Sequence, residues 1–499
     1  MKAKLIILYI LIGGIIASCG EDFLEEDPKS FLVAENFYET ENHAIQAINA
    51  VYANISTFGT YRLNFIHYNE MRSDLVTLGP DPVSGVADAA REFEEFTLNS
   101  ETGVLAQTWR DVYQGINNAN LVITKIPNSN SLNDAFKDDI LSQAYFLRGV
   151  YYFDLVRLFG EVPVITEPTE GASNRDLERN PVSEVYDLIL SDLKYAAGEG
   201  SNTQDGLPAS WTGADNGRVT LGAAHGLLAR VYLTLGSWQE AADYAQKVIE
   251  SGNYSLFANF RNNFDYEYKY TPGGEIVFEV NFHNDIDPGI QITRLISPTG
   301  ARLFNTNLAG RGIFVGSQKA WDLFNEPGDI RREQTFLYEY FDTGTNEQVT
   351  LDITQAPYYI LKFNIESQSN VVPTPWGWSA NNWPVIRYSG VLLMYAEALN
   401  ELGRTGEAFT YINQVRERAR IDKNDPAHVP DLVGLSQDQL RQEIYDERVR
   451  ELFFEGHTFN DYVRTGRFTQ LGLDEKFRYL PIPQRERDLN ENLSQNTGF

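Results

Sequence analysis

Three tryptophans, Trp376, Trp378 and Trp383, fall within eight positions of one another in a chain that has seven. They lie in the stretch Pro373-Thr374-Pro375-Trp376-Gly377-Trp378-Ser379-Ala380-Asn381-Asn382-Trp383-Pro384, which has no helical or strand period and is stiffened by its prolines. Large flat rings on a stiff irregular segment offer contact area at low entropic cost, with amides and hydroxyls between them for hydrogen bonds. That is the chemistry of holding a ligand, not of breaking bonds. The competing reading is a satellite core packed on the body. Trp383, which leads into a helix expected near 387, suits that reading best of the three. Trp109, Trp211, Trp238 and Trp321 read as core or scaffold.

Bond-breaking chemistry finds little support. A helical glycoside hydrolase needs two carboxylates about 5–10 Å apart across a cleft. With 69 acidic residues, pairs such as Asp285 and Asp287, or Asp446 and Glu447, arise by chance, and none sits in a diagnostic motif. The six histidines, His43, His67, His225, His283, His428 and His457, are scattered, with no HExxH, no G-x-S-x-G and no P-loop in the chain. Asn284 to Gly289 lacks the spacing and terminal Glu of a calcium loop and reads as a turn. No cofactor and no metal is expected. The formal charge of −28 (41 basic against 69 acidic residues) repels phosphate and argues against a nucleic-acid partner. A hydrophobic content of 42% over 499 residues describes a folded chain with a sizeable core.

The N-terminus speaks to location. Met1-Lys2-Ala3-Lys4 is a basic start and Leu5 to Ile16 an apolar run, which rises only about 18 Å as a helix against a hydrocarbon core of roughly 30 Å. Residues 1–18 therefore read as a signal peptide. Ile16-Ala17-Ser18-Cys19 resembles a bacterial lipobox, with Ile where Leu is usual, and Cys19 is the chain's one cysteine. A processed chain of residues 19–499, lipidated at Cys19 and held by more than one acyl chain, is expected. The acidic residues Glu21, Asp22, Glu25, Glu26 and Asp27 follow directly and resemble a surface-export signal.

The elements that must position the tryptophans are helices in pairs. Leu221, Ala224, Leu227, Leu228, Val231, Tyr232 and Leu235 recur at helical spacing, and Gly236-Ser237 breaks the run. Trp238, Ala241, Ala242, Ala245, Val248 and Ile249 repeat it, with Ser237 and Glu240 spaced as a capping box. This hairpin at 221–249 and a second at 391–419 have the offsets of a tetratricopeptide repeat. Further helices are expected at about 104–126 and 139–158 and from Thr40 onward. Glu275 to Val280 alternates as a strand. Residues 281–308 and 340–384 read as long loops with a few short strands, and such loops on a packed scaffold usually carry function. The fold class is predominantly α, a superhelical scaffold of TPR-like hairpins with a loop-rich region, in one domain.

An ordered set of motifs resembles the SusD/RagB family of outer-membrane lipoproteins. It comprises Phe23-Leu24-Glu25 after Cys19; Ala144 to Arg148 and Tyr152 to Gly160 with Val162-Pro163; Gly217-Arg218-Val219-Thr220; Arg387-Tyr388; Tyr395 to Asn400; Glu447-Arg448, Arg450-Glu451-Leu452 and Glu455-Gly456. A closing set follows: Leu480-Pro481-Ile482-Pro483, Glu486, Asn490, Leu493, Gln495-Asn496 and Gly498-Phe499. Glu161, Glu491 and Thr497 depart from the family pattern in turns. The resemblance implies about four TPR-like hairpins, extracellular capture of glycan, and a partnership with a SusC-like TonB-dependent transporter over which the protein acts as a lid, without hydrolysis.

With a glycan as the implied ligand, the tryptophans gain a partner. A pyranose offers C–H groups on its faces and hydroxyls on its rim, so Trp376, Trp378 and Trp383 are the expected ligand-binding residues. The resemblance adds the segment Asn64–Asp81, with His67, Tyr68, Asn69 and Arg72, and in it Asp74 as an acceptor for two hydroxyls. Its competing role is an internal ion pair. Tryptophans and a net negative charge favour a neutral glycan, a laminarin-type β-glucan among them.

Overall fold

The structure is a computed structural model that describes residues 37–80, 84–169, 176–200, 205–283, 289–303, 309–364 and 379–499. Cys19, Trp376 and Trp378 lie outside the described residues. Nine helices of thirteen residues or more form the scaffold among the described residues: α1 Glu41–Ile55, α2 Gly103–Lys125, α3 Asp134–Phe159, α4 Val182–Ala196, α5 Leu221–Leu235, α6 Trp238–Glu250, α7 Tyr388–Glu401, α8 Thr405–Arg418 and α9 Gln437–Leu452. Each packs on the next from α1 to α8, and α9 closes against α7 and α8.

Local sequence explains the starts and the close approaches. Thr40 caps α1, its hydroxyl accepting from His43 N at 3.2 Å, and Ala44, Ala47, Ile48, Val51 and Ile55 form the buried stripe. In α3, eighteen of 26 residues are buried, so this helix is covered on nearly every side and is the spine of the fold. Gly115 of α2 lets α3 come close, since a Cβ there would lie 2.5 Å from the Tyr151 ring. Arg148 of α3 makes two 2.8 Å bonds to Asp192 of α4 and one to Asn120 of α2, which ties three helices through one guanidinium.

The expected hairpins are present at 221–250 and 388–418, the first turning at Gly236 with φ 72°. The expected capping box does not form. Ser237 sits at φ −81°, ψ 75°, outside the extended conformation that aims a cap hydroxyl at the first turn, and it makes no such bond.

Seven short strands complete the described fold: β1 Val76–Leu78, β2 Ile276–Val280, β3 Phe314–Gly316, β4 Glu339–Asp342, β5 Glu347–Thr350, β6 Tyr358–Tyr359 and β7 Trp383–Arg387. β1, β3 and β6 form one antiparallel sheet, β2 pairs with β7, and β4 with β5. The helix expected near 387 begins at Tyr388, and Trp383 opens a strand whose five residues are all buried. Trp383 is therefore core and not ligand surface: its indole stacks on Phe363 at 4.9 Å and meets the edge of Phe65 at 5.9 Å. The proline that follows it enters the buried strand, which turns the ring inward.

Beneath β2 and β7 lies a cluster of opposite charges. Arg387 bonds Glu275 at 2.6 Å and Glu451 and Glu455 at 2.8 Å. Arg331 bonds Asp329 at 2.7 Å and Glu447 at 2.6 Å, and Arg416 reaches Glu447 at 3.0 Å. Lys362 pairs with Glu455 at 2.6 Å, Arg418 with Glu275 at 3.0 Å, and Arg450 with Glu447 at 3.0 Å. Burial alone would raise the Glu447 carboxyl, but Arg331, Arg450 and Arg416 outweigh it and hold it at about 2.

Two outcomes follow. Trp383→Ala removes a filled core position and is expected to cost about 3–5 kcal/mol in chemical denaturation. Glu447 has a folded pKa below its unfolded value, so its contribution is complete above the ordinary carboxylate range and is lost as pH falls from about 4.5 towards 2. Denaturation midpoints measured from about pH 6 to about pH 3 are expected to fall more steeply in the wild type than in Glu447→Gln.

Candidate functional site

The loop-rich region is built outward from the β1-β3-β6 sheet. Tyr358 stacks on Trp321 at 4.3 Å, and Arg332 lies 4.1 Å over the same indole. From this base the chain runs through Phe336 and Leu337 into the β4–β5 hairpin. Asp342 holds the turn, its Oδ1 accepting from Gly344 N at 2.7 Å and Thr345 N at 3.2 Å. Thr343 donates to Arg302 O through both its backbone N, at 3.0 Å, and its hydroxyl, at 2.8 Å, which docks the hairpin on residues 301–303. A small apolar cluster of Ala301, Leu303 and Leu337, flanked by Tyr340, Leu351, Tyr359 and Leu361, secures the contact.

Beside this hairpin opens a cleft of about 730 Å³, lined by Leu303, Tyr338, Tyr340, Phe341 and Leu361, with Glu333, Glu339 and Thr343 at its polar edge. The volume is that of a small-molecule or oligosaccharide site. Phe341 is 50% exposed, a large apolar ring left in water on a short hairpin. Burial raises the hydroxyls of Tyr338 and Tyr340, the second helped by the charges of Asp342 and Tyr359, so both remain protonated donors at neutral pH.

Residues 304–308 and 365–378, the second of which carries Trp376 and Trp378, are outside the described residues and follow the lining residues Leu303 and Leu361 by one and four positions in sequence. The described ends of the second segment are held together. Ser379 and Ile290 exchange two backbone bonds of 2.9 Å, Thr293 Oγ1 donates to Phe363 O at 3.1 Å, and Asn381 Nδ2 donates to the same carbonyl at 3.1 Å. Partial burial and the charge of Arg311 both lower Arg294, whose Nε donates to Ala309 O at 3.2 Å.

The early segment differs from the expectation. His67, Tyr68, Asn69 and Arg72 are all buried. Arg72 lies 3.8 Å over the Phe459 ring and donates to Arg478 O at 3.3 Å, and burial lowers it to about 9. Asp74 accepts from the Tyr462 hydroxyl at 2.9 Å and pairs with Lys319. Both oxygens are thus committed within the protein, and Asp74 joins β1 to the 458–464 helix instead of facing sugar hydroxyls. The carboxylate pair Asp446 and Glu447 is no catalytic dyad, because Glu447 is buried among arginines. Sequence reading missed Tyr338, Tyr340 and Phe341. The available signal was an aromatic run, Tyr338-Glu339-Tyr340-Phe341, closing on the Thr343-Gly344 turn.

Comparison with known proteins covers nearly the whole chain. A family model described as the SusD family matches residues 241–476, and one described as starch-binding associating with outer membrane matches residues 22–233. SusD-like protein P2 of Formosa agariphila is 31% identical over 534 positions, which cover 99% of each chain. The crystal structure of a SusD superfamily protein from Parabacteroides distasonis superposes with a TM-score of 0.78 at 26% identity, over 92% of this chain and 99% of that one. A laminarin-binding SusD-like protein superposes with a TM-score of 0.77 at 26% identity, over 93% and 100%.

If Asp74 is a strut, Asp74→Asn loses one partly exposed ion pair. The expected cost is within about 1 kcal/mol, with migration in polysaccharide-containing native gels unchanged. Loss of retardation at unchanged stability would return Asp74 to the ligand surface.

Proposed function

Because the chain belongs to the SusD/RagB family, we propose that it is a cell-surface glycan-binding lipoprotein that captures a polysaccharide and delivers it to a SusC-like TonB-dependent transporter without cleaving it. The observation that carries this reading is the aromatic cleft beside the β4–β5 hairpin, with the half-exposed ring of Phe341 on its wall. In the proposed mechanism the rings of Phe341, Trp376 and Trp378 take the C–H faces of the sugar, and hydroxyl and carboxylate groups at the cleft's edge take its rim. Such contacts are individually weak, so long chains that engage several rings gain by effective concentration. Lipidation at Cys19 tethers the body outside the cell, on the outer membrane.

The glycan class we favour is a neutral, laminarin-type β-glucan. The exposed rings support it, as does the likeness to a laminarin-binding protein.

Affinity electrophoresis against a panel of neutral and acidic polysaccharides tests this. Retardation by a neutral β-glucan, abolished in Trp376→Ala/Trp378→Ala and with no reducing ends released on long incubation, is the expected result. Retardation by acidic chains alone overturns the neutral class, and sustained release of reducing ends overturns the binding role in favour of a glycoside hydrolase.

A further inference from the structure

A second cleft, of about 540 Å³, shares no lining residue with the first. It opens between the connection into α5 (residues 209–220), the turn after α6, the loop at 266–274 and strand β2. Six aromatic residues line it, Trp211, Tyr254, Phe257, Tyr268, Tyr270 and Phe278. Sequence reading assigned Trp211 to the scaffold, yet its ring is partly exposed and its Nε1–H donates to Val219 O at 2.7 Å, which fixes its orientation. Tyr268 and Tyr270 are 37% and 38% exposed, and the Tyr268 ring meets Phe257 edge-on at 5.7 Å.

The cleft is built at a conformational cost. Tyr270 holds φ at 57°, in the left-handed region that a bulky residue rarely enters. Its hydroxyl donates to Asn281 Oδ1 at 2.7 Å, and Asn281 Nδ2 donates to Gly217 O at 3.0 Å. Gly217 must be glycine here, because a Cβ would lie 2.5 Å from the Tyr270 ring. Behind them Asn382 donates to Asn281 at 2.8 Å and to Glu279 at 2.6 Å. A strained tyrosine, a forced glycine and a relay of three amide and carboxylate side chains hold one ring at the mouth of a cleft.

The electrostatics narrow the ligand. The two charged side chains on the lining are engaged within the protein. Arg218 bonds Asp215 at 2.7 Å, Asn49 at 2.9 Å and Gln143 at 3.1 Å, and Glu279 takes Asn382. What faces the cleft is aromatic rings with the neutral groups of Thr212, Asn216, Asn253 and Thr271. Flat apolar faces ringed by uncharged donors and acceptors match a neutral sugar and offer nothing to a phosphate or a carboxylate.

We propose that this cleft is a second binding site for a short stretch of neutral oligosaccharide, with Trp211, Tyr268 and Tyr270 as its stacking surface. It rests on the glycan-binding reading and extends it, giving one chain two separate holds on a polymer. Calorimetry with tetraoses of β-1,3-glucan, cellulose, starch, xylan and mannan tests it, since a tetraose is too short to be credited with avidity. At least one tetraose is expected to fill two sites per chain. Trp211→Ala and Tyr268→Ala should each weaken one site by at least about tenfold, and Phe341→Ala the other. Trp211→Phe, which keeps a ring face but no N–H, should retain binding, and circular dichroism should show all four variants folded. A tetraose that fills one site, untouched by Trp211→Ala and Tyr268→Ala, overturns the second site and leaves the first reading standing. No heat from any tetraose, together with no retardation by any polysaccharide, overturns both.

Discussion

The cluster of ion pairs under β2 and β7 is the constraint on which the rest of the structure depends. Six cations (Arg331, Lys362, Arg387, Arg416, Arg418 and Arg450) meet seven carboxylates (Glu275, Glu326, Asp329, Glu443, Glu447, Glu451 and Glu455) in one connected network. Taking an ion from water costs several kcal/mol, and removing one partner of a buried pair costs about 3–5 kcal/mol because the other is left uncompensated. The network is therefore tolerable only when complete. It is complete only when β2, β7, the 330–335 helix, α8 and α9 are all in place. Electrostatic balance is what couples the loop-rich region to the helical scaffold.

That coupling gives the family motifs a physical meaning. Arg387 and the Glu447, Arg450, Glu451 and Glu455 set belong to this network. Arg448 and Glu397 belong to a neighbouring one, in which Asp461 bonds Arg448 at 2.9 Å and Arg464 at 2.7 Å, and Arg464 bonds Glu397. The closing motif is a clamp on the spine. Gln495 makes bonds of 2.7 and 2.9 Å to the backbone of Ile482, and Asn496 donates to Phe159 O and Leu480 O. The departures at Glu161, Glu491 and Thr497 spare every one of these contacts. The motifs by which the chain resembles its family thus describe mainly how the body is held together, and of them only Gly217-Arg218-Val219-Thr220 also lines a surface proposed to hold sugar.

This division explains what was legible in the sequence. Helix existence was legible because a 3.6-residue stripe such as Ala44, Ile48, Val51 and Ile55 has one face to bury and one way to do it. The strand at 276–280 was legible from alternation, but β7 was not. All five of its residues are buried, so it has no alternation to read, and its proline suggested a loop. Trp383 and Asp74 were misplaced for a related reason: residue type states what a side chain can touch, and only the fold states which way it points. The aromatic run at Phe341 is local and was passed over at the edge of a stretch read as loop, whereas the surface at Trp211 was missed because its parts are far apart in the chain. Tyr270 meets Gly217 and Asn281 across 53 and 11 positions, and no local pattern records such a meeting.

Net charge argues less about the ligand than its size implies. The network contributes six positive and seven negative charges, which all but cancel within the body, so nearly all of the excess of 28 negative charges is carried by other residues. Screening confines each surface charge to about 8–10 Å at ordinary ionic strength. A sugar in the cleft beside the β4–β5 hairpin therefore feels Glu333 and Glu339 far more than the molecule's total. The second cleft, whose Arg218 pairs with Asp215 and whose Glu279 is offset by the charge of Lys269, presents no such local charge. If both clefts hold the same polymer, the uncharged one sets the limit, and a chain bound at two points must offer at least one stretch without acidic groups.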